Sequence, residues 1–181
     1  LRANDLIWSF FINNYLLGRD PFPCDLLHWN CDSTRMPAAM HSFYLRSMYQ
    51  HNLLREPGGI TLCGRPIDLR RVKSPVYFLS AVEDHIAPWK STYAGTRLFG
   101  GPVRFVLGGS GHIAGVINPP AARKYGYLTN PRLDLDADDW QASAVQHGGS
   151  WWPDWDAWLD QQDATRVPAR VPGAGPLAVL E

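Results

Sequence analysis

Two apolar runs of strand type, Val76-Tyr77-Phe78-Leu79 and Val103-Arg104-Phe105-Val106-Leu107, stand on either side of a helical pattern, and this arrangement constrains the fold more than any other stretch. Pro88 suits a first helical turn, Trp89, Tyr93, Ala94, Arg97 and Leu98 recur at helical spacing, and Gly100-Gly101 stops the helix. The result is a β-α-β unit whose crossover is long enough for parallel pairing. The chain is therefore predicted to be α/β, with the loops after both strands on the same edge of one sheet. In open α/β sheets that edge, beyond the carboxyl ends of the strands, is where chemistry is placed.

Those two loops hold an acid and an imidazole. Val82-Glu83-Asp84-His85 follows the first strand and Gly109-Ser110-Gly111-His112 follows the second, so Asp84 and His112 are 28 residues apart, the length of one helix, one strand and two loops. A triad needs an imidazole that takes a proton from a nucleophile and a carboxylate that fixes the imidazole's tautomer. The order acid then histidine on successive strands is the α/β-hydrolase order, in which the nucleophile comes earlier still. Glycines around Ser110 and before His112 are expected to let the backbone turn sharply. Competing readings stand beside these: Glu83 is adjacent to Asp84, an acid after a strand is often a helix cap, and a loop histidine is often a surface residue.

The third member is missing. No G-x-S-x-G elbow or cysteine analogue is present; Gly108-Gly109-Ser110-Gly111-His112 comes nearest but follows the last strand, which argues against Ser110 as nucleophile. Cys24 and Cys31 fall in a connection between helices and Cys63 in a hairpin turn, and none sits at a strand-to-helix elbow. All three read as ordinary thiols.

Elsewhere, Asn4 or Asp5 could cap a helix through Leu6-Ile7-Trp8-Ser9-Phe10-Phe11-Ile12 to about Gly18, apolar enough to be buried or covered by a partner. Pro21 and Pro23 precede an irregular stretch containing Leu26-Leu27-His28-Trp29. Ser33 or Thr34 could cap a helix from about Pro37 to Leu54, with Met40, Phe43, Tyr44 and Met48 on a face expected to pack into the core. Ile60-Thr61-Leu62 and Arg65-Pro66-Ile67 flank Cys63-Gly64 as a hairpin would, with Pro66 confining the second arm to an edge. The acidic run Leu133 to Trp140 reads as a solvated loop or helix start. Trp151, Trp155 and Trp158 are expected to form the buried face of a late helix, and the chain from 163 to 181 a flexible tail.

Composition narrows the function. Seventeen basic and seventeen acidic side chains leave a net charge of zero, which argues against nucleic acid or an anionic membrane as the main partner. Three cysteines without zinc-type spacing predict a reducing compartment, hence the cytoplasm, and no metal site. No apolar run approaches the roughly 20 residues of a membrane span. Leu1 and the lack of a signal peptide suggest a start inside a longer sequence.

Three stretches together are distinctive: Glu83-Asp84-His85-Ile86-Ala87-Pro88-Trp89, the run from Gly108 to Pro120 (Gly-Gly-Ser-Gly-His-Ile-Ala-Gly-Val-Ile-Asn-Pro-Pro), and Gly149-Ser150-Trp151-Trp152-Pro153-Asp154-Trp155. With Leu1 to Trp8 and Asp25 to Asn30, they resemble the carboxyl-terminal part of the polyhydroxyalkanoate synthases, of the class I type, over nearly everything up to about Gln162. The resemblance implies an α/β-hydrolase fold, here its carboxyl-terminal portion: residues 1–162 belong to the catalytic domain, with about 13–54 in a helical cap and about 59–162 in the core. It implies a Cys-His-Asp triad that polymerises 3-hydroxyacyl groups from coenzyme A thioesters and releases coenzyme A, the thioester being substrate and no cofactor being required. Asp84 matches the family's acid, His112 its general base and His85 a position beside the acid, where the alternative is a loop side chain near Trp89. The family's nucleophilic cysteine lies upstream of the matched region, so the 181 residues alone are expected to be inactive. The implied partners are 3-hydroxyacyl-CoA, the growing polyester, a second subunit bound through the cap, and the polymer granule surface. Two other functions share these residues: an esterase or thioesterase that transfers the acyl group to water, and a non-catalytic cap and dimerisation module.

Overall fold

The computed structural model describes residues 8–20, 32 and 34–171. It divides into two compact units, Leu1–Arg70 and Arg71–Glu181. The expected cap residues Asn4, Asp5 and Ser33, the Leu26-Leu27-His28-Trp29 patch, Cys24 and Cys31 lie outside the described residues, as does the tail beyond Val171.

In the first unit the expected early helix is present, but its described part is wound widely: Phe11–Leu16 is a π-helix, closed by the Leu17 N–H on the Ile12 carbonyl. The second helix starts after Pro37 as α1 (Ala38–Tyr44) and continues as a π-helix over Leu45–Gln50, followed by a 3-10 turn at Leu53–Arg55. Its face is not a core face. Met40 is 59% exposed, and Phe43 and Tyr44 are also exposed. Helical spacing defines a shared face but not what covers it, and of the four only Met48, in the π-helical stretch, is half-buried. The hairpin forms as expected: β1 (Thr61–Leu62) pairs antiparallel with β2 (Arg65–Pro66). Cys63 and Gly64 both take positive φ, 49° and 73°, the requirement of a type I′ turn. Ile60, just before β1, is buried.

The second unit is built on a four-stranded sheet in the order β3-β4-β5-β6, with β3 at Val76–Ala81, β4 at Val103–Gly108, β5 at Tyr127–Thr129 and β6 at Val145–His147. β3 and β4 pair in parallel, with Tyr77 opposite Arg104 and Ala81 opposite Gly108, and are linked through α2 (Trp89–Gly95). The β-α-β expectation is therefore met. The sheet is nevertheless mixed, because β5 and β6 add antiparallel strands. This is an α/β architecture with a central sheet.

One face of β4 makes the core. Phe105 and Leu107 point the same way by strand alternation and pack with Trp89 and Tyr93 of α2 and with Trp140 of α3 (Ala137–Ala142). The rings meet edge-on or tilted, Phe105 and Trp140 at 5.0 Å between centroids. Trp140 has no exposed surface, and its indole N–H donates to the Asn130 carbonyl at 3.1 Å. The acidic run is a helix start: Asp136 caps α3 by accepting from the Asp139 N–H.

The opposite face receives α4 (Trp152–Gln162). The expected tryptophan face forms only in part. Trp151 and Trp158 are half-buried around the Tyr77 ring, but Trp155 is 42% exposed. Asp154 takes the inward place instead. Its carboxylate accepts from the Tyr77 hydroxyl at 2.8 Å and from both Nε and Nη2 of Arg104. Burial, then the hydrogen bond to Asp154, pushes the Tyr77 hydroxyl well above the usual tyrosine range, so it stays a neutral donor. A helix that must neutralise an arginine of the sheet puts its acid, not Trp155, against it.

Candidate active site

The parallel pairing sets the two loops side by side. Beyond β3, the Val82 N–H donates to the Gly108 carbonyl at 2.9 Å and the Glu83 N–H to the Ser110 carbonyl at 3.0 Å. These bonds extend the β3–β4 ladder past the strand ends and carry Asp84 and His112 into register.

The side chains meet: His112 Nδ1 lies 2.7 Å from Asp84 Oδ2. The other carboxylate oxygen, Oδ1, accepts from the backbone N–H groups of Ile86 and Ala87, each at 2.9 Å. Asp84 is thus both a turn residue and an acid, and its side chain is only 8% exposed. Burial pushes the Asp84 carboxyl upward, but the bonds from Ala87, His112 and Ile86 together outweigh it and hold the group below its ordinary range. Asp84 is therefore a carboxylate at neutral pH and only accepts, so Nδ1 of His112 carries the proton and donates. In the neutral ring this leaves the lone pair on Nε2. The His112 side chain is 45% exposed.

The loop is shaped otherwise than its glycines suggested. Ser110 takes the left-handed conformation, with φ 70°, and neither Gly109 nor Gly111 does. The glycine that the loop needs is Gly115, which packs against the end of β3: a Cβ there would lie 2.6 Å from the Ala81 Cβ and 2.7 Å from the Gly109 carbonyl oxygen. Four apolar side chains close in sequence to the pair, Ile86, Ile113, Val116 and Ile117, are exposed. They give the loops an apolar surface.

His85 is exposed and makes no hydrogen bond with Asp84 or His112 among the described residues. Glu83, the competing acid, is exposed too. Cys63 is exposed in its hairpin turn. Two features escaped the sequence reading: the Tyr77, Arg104 and Asp154 network, and the indole bonds of Trp151 and Trp152 to the Val116 carbonyl. Both join residues tens of positions apart, and no local spacing signals them.

The second unit is thus an α/β structure in which a buried carboxylate, Asp84, orients an exposed imidazole, His112, beyond the carboxyl ends of adjacent parallel strands. The chain is 55% identical over 181 residues to the poly(3-hydroxyalkanoate) polymerase subunit PhaC of Rhizobium meliloti, covering 100% of this chain and 29% of that protein. It is 52% identical to the poly(3-hydroxyalkanoate) polymerase of Methylorubrum extorquens, covering 99% of this chain and 30% of that protein. Against the PhaC subunit of Cupriavidus necator identity is 51% over 162 residues, 90% of this chain and 28% of that one. No protein-family model matches. By sequence the chain belongs to the poly(3-hydroxyalkanoate) polymerase family, and it spans about 30% of the length of the curated relatives it matches.

Proposed function

We propose that these residues supply the acid and base of an α/β-hydrolase-type acyltransferase that polymerises 3-hydroxyacyl groups, such as 3-hydroxybutyryl, from coenzyme A thioesters. The observation that carries this reading is the 2.7 Å bond from His112 to Asp84, in a chain about half identical to named polymerases. The nucleophile it needs is a cysteine from the part of the polymerase that these 181 residues do not match. His112 Nε2 takes the proton of that thiol; the sulfur attacks the thioester carbonyl, the carbon–sulfur bond to coenzyme A breaks, and the proton leaves with the coenzyme A thiolate. In elongation Nε2 then draws the proton from the 3-hydroxyl of a bound hydroxyacyl group as its oxygen attacks an acyl thioester; the thioester carbon–sulfur bond breaks and the proton passes to the departing thiolate. Asp84 holds the ring in the tautomer that leaves Nε2 basic and stabilises the imidazolium. The reaction calls for no cofactor. The exposed Ile86, Ile113, Val116 and Ile117 suit an apolar polyester.

The same reading places about 13–54 in a cap that contacts a second subunit, and the enzyme on cytoplasmic polymer granules. Exposed Met40, Phe43 and Tyr44 support an apolar contact there. His85 is assigned a supporting place beside the acid.

A chimera in which the 181 residues replace the matching segment of the Rhizobium meliloti polymerase tests the proposal. With 3-hydroxybutyryl-CoA it is expected to release coenzyme A and form polymer, and His112→Ala is expected to lower the rate at least about 1000-fold. Free 3-hydroxybutyrate in place of polymer would favour a thioesterase. Undiminished polymer in the His112→Ala chimera would overturn the catalytic assignment.

A further inference from the structure

The turn that carries His112 is anchored at its far end by two indoles. Residues 111–117 close on themselves, with the Gly115 N–H on the Gly111 carbonyl at 2.9 Å and the Ile117 N–H on the Ile113 carbonyl at 2.8 Å. The Val116 carbonyl then receives three donors, the Asn118 N–H and the indole N–H groups of Trp151 and Trp152, each at 3.1 Å. One carbonyl has two lone pairs, so the donors share it and each indole can compensate for loss of the other.

The indoles are themselves held. They stand at the start of α4, and two residues later Asp154 grips Arg104 of β4 and Tyr77 of β3. The strands that carry Asp84 and His112 on their carboxyl ends are thus tied, through Asp154 and the indoles, to the far end of the His112 turn. The near end is tied to the Asp84 loop by Glu83 and Ser110. His112 is fixed from both sides.

We propose that Trp151 and Trp152 are positioning residues that set His112 against Asp84 through the Val116 carbonyl, an inference that rests on His112 being the base of the polymerase reaction. A base displaced by a fraction of an ångström loses rate in the chemical step while substrate binding is spared. The effect therefore belongs in kcat, not KM. Because the two donors share one acceptor, their removal is non-additive.

The test uses the chimera with the Rhizobium meliloti polymerase. Trp151→Phe and Trp152→Phe keep a ring and remove the N–H. Each alone is expected to lower kcat about 2-fold, and the two together about 20-fold, more than their product, with KM within about 2-fold. Trp155→Phe, on the same helix but exposed, is expected to keep the parent kcat. A packing role alone would lower the thermal midpoint and leave kcat per folded site unchanged, and that result overturns the proposal. Should the double variant not fold, the single variants decide, and parent kcat in both overturns it. His112→Ala separates the failures: activity retained there removes the base itself, whereas activity lost there but kept in the double phenylalanine variant removes only the positioning role.

Discussion

Gly115 of the His112 turn packs directly on Ala81, the last residue of β3, leaving no room for even a methyl group: a Cβ would lie 2.6 Å from the Ala81 Cβ and under 3 Å from the carbonyl oxygens of Gly109 and Gly111. Two of the three obstacles are backbone, which cannot rotate away. Gly115→Ala is expected to push the turn off the strand and separate His112 from Asp84. The chimeric polymerase should lose about 100-fold in kcat, the scale of a misplacement near 1 Å. An alanine variant with parent kcat would show that the turn gives way harmlessly.

Asp84 decides the tautomer of His112. Asp84→Asn keeps the shape but can present an N–H to Nδ1, which then accepts and moves the ring proton to Nε2. A base that already carries its proton cannot take another. The expected fall in kcat of the chimera is about 10,000-fold, the scale of that exchange in a serine triad. Steady-state coenzyme A release measures it.

The same carboxylate links stability to acid. Its pKa in the folded chain lies below the ordinary value of 3.8, so the unfolded chain binds the proton first as pH falls. The stabilisation is complete above the ordinary aspartate range and is lost as pH drops through the lower folded value. Urea midpoints of the parent chain and Asp84→Asn should differ by a constant amount down to about pH 5 and draw together as the pH falls below the ordinary aspartate value towards the lower folded one. A gap that persists unchanged at pH 2 would contradict the assignment.

Trp140 closes the core on α3 with its indole bonded to Asn130. Trp140→Phe removes that donor and strands a buried carbonyl, at a cost of about 1–3 kcal/mol. Trp140→Ala adds a cavity and should cost about 3–5 kcal/mol. Chemical denaturation followed by tryptophan fluorescence reads both, because seven other tryptophans remain.

The 181 residues by themselves are expected to release no coenzyme A from 3-hydroxybutyryl-CoA, since acid and base without the thiol leave only residual catalysis. Turnover that disappears on substituting Cys24, Cys31 or Cys63 would mean that one of these is the nucleophile after all.

Much of the second unit was legible in the residues. The runs at 76–79 and 103–107 are long enough to show their strand character, and the helix between them announces itself by Pro88, its spacing and Gly100-Gly101. Parallel pairing then brings Asp84 and His112 to one edge, so the pair could be anticipated from a separation of 28 residues. β5 and β6 could not, because three residues are too few to show alternation. Helical spacing named Trp151, Trp155 and Trp158 as one face, yet it carries no knowledge of Arg104 waiting on the sheet, and the buried place went to Asp154.

The sequence by itself determined the β-α-β unit, the hairpin at Cys63-Gly64, the acid and imidazole, and kinship with the polymerases, because each is written in neighbouring residues or in overall identity. Only the tertiary structure decided that Nδ1 of His112 meets Asp84 at 2.7 Å, that Ser110 and not a glycine takes the left-handed turn, and that two indoles hold the Val116 carbonyl. These depend on space and hydrogen-bond capacity shared among segments far apart in the chain. Such competition for space and donors has no counterpart in local spacing.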